Sequence, residues 1–171
     1  MKYALSGLMA ILMLFLPACS EKKRNEDIFT EFEGEKGFYM VKLPPALFLK
    51  LTGMGGNESS SEDMGNVDLV KLLIYSREND TESDRDHMYD RISGKLIDYQ
   101  YENIFGFNSD QAFISAYILE NDEYVSDLMI LFRESESLAC LGLSGRLNGE
   151  EILKFAAGIE YNKLRNFINQ Q

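Results

Sequence analysis

Hydrophobic residues fall into three textures along this chain. An uncharged, largely apolar run lies at its start, short alternating or continuous runs fill its middle, and one stripe at helical spacing interrupts them. Gly37 to Leu43 alternates and carries Phe38, Tyr39, Met40 and Val41, which predicts a strand. Pro44-Pro45 stops it, and Pro45 suits the first turn of a helix through Leu51. Gly53 to Asn66 is rich in Gly, Ser, Glu and Asp and reads as a long loop, with disorder the expectation. Val70 to Ser76 is the next strand, and Asn79 to Ser83 a turn. A helix is expected from about Asp84 to Tyr99. Ser83 is its predicted N-cap, Asp84 and Asp86 complement its dipole, and Met88, Tyr89, Ile92, Leu96 and Tyr99 form its buried stripe.

Four strands follow, at Tyr101 to Phe107, Ala112 to Leu119, Tyr124 to Arg133 and Leu138 to Arg146. The polar turns between them, at Asn108-Ser109-Asp110, Glu120-Asn121-Asp122 and Glu134-Ser135-Glu136, are short, so the pairing is an antiparallel meander. Leu128 to Phe132 and Leu138 to Leu143 are apolar on both faces of the strand, so these strands should be central. Asn148-Gly149-Glu150-Glu151 caps a closing helix through about Ala157, with a helical tail over 159–171. The order β-α-β-α-β-β-β-β-α predicts an α+β fold, a mostly antiparallel sheet with helices packed on one face. Small Cys140 and Gly142 alternate with Ala139, Leu141 and Leu143, so one helix is expected to pack closely there.

The opening run changes the picture. Lys2 precedes an uncharged stretch from Tyr3 to Leu16, too short for a membrane span of about 20 residues and suited to a signal peptide. It ends in Leu16-Pro17-Ala18-Cys19, which resembles the bacterial lipobox. In that chemistry the Cys19 thiol takes a diacylglycerol, a signal peptidase cuts after small Ala18, and the new amino group is acylated. At about 0.8 kcal/mol per buried methylene, several chains anchor permanently where one is marginal. The expected organisation is a signal peptide at 1–18, a lipidated Cys19 opening a flexible tether over 19–34, one domain over 35–158, and the tail. Lys22, Lys23 and Arg24 suit an anionic headgroup surface or a plain soluble linker equally. Ser20, where an Asp would retain an inner-membrane lipoprotein, points to the outer membrane and its periplasmic face.

A net charge of −11 argues against nucleic acid as a partner and against broad adhesion to an anionic bilayer. With Cys19 lipidated, Cys140 has no partner in the chain and reads as a buried, inert thiol. The strings Gly37-Phe38-Tyr39-Met40-Val41-Lys42-Leu43-Pro44, Leu128 to Glu134 and Leu143-Ser144-Gly145-Arg146-Leu147, together with the lipobox, resemble the Bacteroidota lipoprotein family built on the domain of unknown function numbered 4252. The likeness spans roughly residues 30 to 157. It implies an envelope location and an α+β fold, and it carries over no catalytic residue.

The chemistry-bearing residues are sparse. His87 is the only histidine and sits among Arg85, Asp86, Asp90 and Arg91, where a solvated helix face explains it better than a triad. Gly142-Leu143-Ser144-Gly145-Arg146 is not the Gly-x-Ser-x-Gly of a nucleophile elbow, because Arg146 stands where the second glycine should be. Zinc lacks ligands. Asp80, Glu82, Asp84 and Asp86 alternate as calcium ligands do, but Arg85 and Arg91 stand where such a loop needs glycine and glutamate. Gly53-Met54-Gly55-Gly56 is no phosphate loop, and the sequons at Asn57 and Asn79 read as chance. No cofactor is expected. The expectation is a non-catalytic, lipid-anchored envelope module, with the membrane and an unidentified envelope protein as partners. Phe113 and Tyr117, on one face of a strand, are its candidate surface, although core packing explains them better. A stress-sensing lipoprotein acting on a membrane partner, such as an anti-sigma system, is the second expectation, and a cryptic hydrolase using His87 or Ser144 the third.

Overall fold

The two runs that are apolar on both faces lie side by side at the centre of a six-stranded antiparallel sheet. The computed structural model describes residues 27–52, 66–108, 112–121, 123–149 and 152. Its elements are α1 (Ile28–Phe32), β1 (Phe38–Leu43), α2 (Pro45–Thr52), β2 (Val67–Tyr75), α3 (Glu82–Asp98), β3 (Glu102–Asn108), β4 (Ala112–Asn121), β5 (Tyr124–Glu134) and β6 (Leu138–Leu147). The sheet order is β1-β2-β6-β5-β4-β3. The meander β3 to β6 is the expected one, and β6 closes the sheet by pairing with β2. The signal peptide, Cys19, the loop over 53–65 and the tail lie outside the described residues. Of the closing helix, one bond is seen, from the Ile152 N–H to the Asn148 carbonyl at 3.1 Å.

Strand alternation sorts the core into two layers. Beneath α1 and α3 lie Phe38, Leu73, Met129, Leu131, Leu138 and Cys140, packed against Ile28, Phe29, Phe32, Tyr89, Ile92 and Leu96. The opposite face buries Val70, Leu72, Ile130, Phe132, Leu141 and Leu143 with Phe48 of α2 and Ile152. Helices therefore do not confine themselves to one face: α1 and α3 share one, and Phe48 goes to the other. Among the described residues no helix is long and apolar enough to cross a membrane.

α1 corrects the expected tether. Its Ile28, Phe29 and Phe32 are buried, so residues from Asp27 on, within the span expected as tether, pack with the domain. Asp27 caps the helix through Oδ1, which accepts from the Phe29 N–H at 3.1 Å. The Phe29 ring occupies the space over Gly142: a Cβ built there would lie 2.6 Å from the ring. This is the close helix that the small side of β6 anticipates.

α3 also starts earlier than its sequence suggests. Thr81, not Ser83, is the N-cap. Its Oγ1 accepts from the Asp84 N–H at 3.2 Å, and Asp84 Oδ2 accepts from the Thr81 N–H at 2.8 Å, a reciprocal pair, while Asp86, three residues after Ser83, is engaged by Arg133 instead. At the other end the Tyr101 N–H reaches the Leu96 carbonyl and the Gln100 N–H the Ile97 carbonyl, both at 2.9 Å, with Gln100 at φ 67. That is a Schellman closure with glutamine in the left-handed position.

Candidate functional site

The polar residues of the covered face gather where β5 and β6 leave the apolar core. Asp127 lies opposite Ser144 in the β5–β6 register, next to the bulge between Val125 and Asp127. Ser144 Oγ donates to Asp127 Oδ1 at 2.6 Å. Ser126 Oγ lies 2.8 Å from Asp127 Oδ2 and 3.1 Å from the Leu119 carbonyl, with one proton for the two acceptors. Lys71 comes from β2, where it faces Gly142. Its ammonium pairs with the Asp27 carboxylate and sits 5.5 Å from the centre of the Phe29 ring. Burial pulls its pKa below the usual lysine value, while the charge of Asp127 works in the other direction. Nearby Tyr101 has its hydroxyl pushed up, chiefly by burial and then by Asp127.

This arrangement ties α1 to the sheet. Ser144 gives its proton to a carboxylate that also serves Ser126, so the group that would activate it as a nucleophile is shared. His87 is not brought to it. Arg85, Tyr89, Ile92 and Leu96 mark the buried side of α3, and His87 is exposed. Arg85 is a correction: it is buried, not on the solvated side. It bonds Asp80 Oδ2 at 2.7 Å and the Ser135 carbonyl, fixing the start of α3 to the β5–β6 turn.

The four alternating acids each hold a protein partner. Asp80 pairs with Arg85, Asp84 closes the cap, and Glu82 and Asp86 face Arg133 at 3.5 and 2.6 Å. Among the described residues no three His, Cys, Asp or Glu side chains come together as metal ligands. Cys140 is buried under the helices, and burial pushes its thiol up to about 12. Phe113 and Tyr117 face α3. Tyr117 is buried, and the Phe113 ring meets Tyr89 edge-on at 5.1 Å. The Tyr89 hydroxyl lies 2.6 Å from Ser115 Oγ, and burial pushes its pKa up to about 12.

A groove of about 500 Å³ opens at the same end of the sheet, lined by Asn66, Tyr124, Arg146 and Asn148 among others. The Arg146 guanidinium stacks 4.8 Å from the centre of the Tyr124 ring, and its approach to Glu123 at 3.9 Å is solvent-exposed on both sides, which makes it weak. α1 and the turn after it are held to α3 and its C-cap by three further contacts. Glu35 takes Arg91 bidentately at 2.5 and 2.9 Å, and Glu31 takes Lys95 and the Tyr99 hydroxyl, each at 2.8 Å. The sequence offered no spacing signal for any of these pairs, because each partner comes from a different element. The one local signal of α1 is faint, a capping Asp27 followed by Ile28, Phe29 and Phe32 within five residues.

Sheet, helices and polar cluster together define a mostly antiparallel α+β domain in which several ion pairs fasten α1 and α3. The chain belongs to the family of the domain of unknown function DUF4252, whose model matches residues 32–155. No curated protein and no solved structure matches it.

Proposed function

We propose that this is a Bacteroidota lipoprotein anchored through Cys19 to the outer membrane, facing the periplasm, whose domain is a non-catalytic binding or interaction module. The observation that carries the reading is Leu16-Pro17-Ala18-Cys19 closing an uncharged apolar run that starts after Lys2. The early start of the fold adds to it. Asp27 lies eight residues beyond Cys19, and eight residues reach at most roughly 28 Å. The domain would ride close to the bilayer, with the polar end of the sheet nearest the anchor.

The non-catalytic half of the reading rests on the prior engagement of Ser144, Lys71 and the acids of α3 with protein partners. Metabolic labelling with a fatty-acid analogue tests the anchor: the intact chain takes up label and fractionates with membranes, and Cys19→Ser does neither. Label on Cys19→Ser would end the proposal. A fluorophosphonate probe tests the other half. The protein stays unmodified, and modification abolished by Ser144→Ala would make it a serine hydrolase instead.

A further inference from the structure

The sheet has two edges, β1 and β3, and they are guarded differently. β1 buries Phe38 and Leu43 and carries Lys42. β3 is exposed at every position, with Ile104 at 45%, Phe105 at 53% and Phe107 at 51%. From Asn103 to Asn108 it holds no charge and no proline. Edge strands normally carry such residues, because their unpaired N–H and C=O groups otherwise template another strand. β3 is blunted only at its start, by exposed Glu102 and the irregularity between Asn103 and Phe105. Phe105 to Asn108 then pair with β4 in unbroken register.

Gly106 is the informative residue. Nothing among the described residues requires glycine there: its φ lies outside the left-handed range, and of them a Cβ would meet only Ser115 Oγ at 4.0 Å. Glycine inside a strand weakens it, and it recurs where another backbone approaches closely. Phe105 and Phe107 flank Gly106 on the face shared with Ala116 and Ile114, their partners in β4.

We propose that β3 pairs antiparallel with β3 of a second copy of this chain, about a two-fold axis at Gly106. In that register Gly106 meets its own symmetry mate, and Phe105 meets Phe107 of the partner subunit. Symmetry repeats the aromatic pair, so four rings share one face. A two-fold contact demands that residue i meet j and j meet i, and Phe105-Gly106-Phe107 meets that demand about its centre. Aromatic pairs opposite one another are favourable cross-strand neighbours. Charge selects the same occupant. Two copies of a −11 chain repel over most of their surfaces, and Asn103 to Asn108 offers contact without like charges. The dimer joins two six-stranded sheets into one, and it needs neither the anchor nor any ligand.

The test is a disulfide placed on the axis. Gly106→Cys in the full chain has room for its side chain and sits opposite itself in the pairing. Under mild oxidation it forms a covalent dimer, several-fold more than Tyr39→Cys on the other edge and more than the parent, which controls for Cys19 and Cys140. Adding Phe105→Lys and Phe107→Lys to Gly106→Cys abolishes the cross-link while the circular dichroism spectrum stays that of the parent. Sedimentation equilibrium of the parent chain reads a dimer independently of any substitution. Equal cross-linking of Gly106→Cys and Tyr39→Cys overturns the proposal, and so does a parent that sediments as a monomer at its highest soluble concentration.

Discussion

β6 and β3 both hold glycine inside a strand, for opposite reasons. In β6 the domain itself forbids a side chain. At Gly145 a Cβ would run into the Asn66 backbone, whose carbonyl accepts the Arg146 N–H at 2.8 Å. At Gly142 it would press on the Phe29 ring and on Met129 Sδ at 2.8 Å. In β3 no described residue crowds the space beside Gly106. A central strand uses its small residues to admit its own chain, and an edge strand has only an outsider to admit. The residue type is the same, and only the surroundings tell the two uses apart.

Of these glycines, Gly145 is the least replaceable. There the obstacle is backbone at the irregular step of the β2–β6 pairing between Val67 and Leu69, so nothing nearby can rotate aside. Gly145→Ala is expected to lose about 3 kcal/mol, the upper part of the range for overpacked sites. Urea unfolding measures it. A loss under about 1 kcal/mol would mean that the β2–β6 junction yields, and that β6 is no more constrained than β3.

Gly142→Ala comes next, at about 1–3 kcal/mol, because here the obstacles are the ends of side chains. Phe29 must shift, and α1 with it. Phe29→Leu removes the ring, so the double variant should lose less than the two single losses combined, since residues in contact couple. Strict additivity by urea unfolding would show that Gly142 does not feel α1.

Those two glycines also mark how far the sequence alone could reach. Leu128 to Phe132 and Leu138 to Leu143, apolar at successive positions, identified β5 and β6 as central, and the small Cys140 and Gly142 announced a close helix. The identity of that helix was hidden. Ile28-Phe29 and Phe32 make five residues, too short for a periodic signal, and they follow a polar stretch that reads as tether. The cluster of Asp27, Lys71, Asp127 and Ser144 was illegible for a related reason: four residues from four parts of the chain meet only once the sheet is assembled. β3 read correctly as a strand, but its place at the edge depends on β6 pairing with β2, a long-range choice that no local pattern encodes.

The helices over β6 are fastened by ionisable groups, so acid should loosen that side first. Hydrogen bonds from Lys95, then from Tyr99, hold the Glu31 carboxyl below its ordinary value, and the Thr81 side chain, then its backbone N–H, does the same for Asp84. A group whose folded pKa is depressed binds fewer protons in the folded state. Its contribution is whole above the unfolded value near 4 and is lost as pH falls through the folded one. Glu31 is largely solvated, so its share is at most about 0.5 kcal/mol. Urea midpoints should fall below about pH 4, and the fall should be shallower in Glu31→Gln. An unchanged acid slope in that variant would remove Glu31 from the clasp.

The smallest effect is the most discriminating. Gly106→Ala should leave the stability of the single domain within about 0.5 kcal/mol of the parent, or raise it, because alanine narrows the unfolded ensemble where the folded backbone accepts it. The measurement is urea unfolding at low protein concentration, where association contributes little. Alanine and glycine at 106 should then separate only in sedimentation at high concentration, where a methyl on the two-fold axis meets its own mate. If Gly106→Ala instead weakens the isolated domain by more than about 1 kcal/mol, the glycine serves β3 and β4 from within. The contrast with β6 would collapse, and Gly106 would no longer point to a second copy.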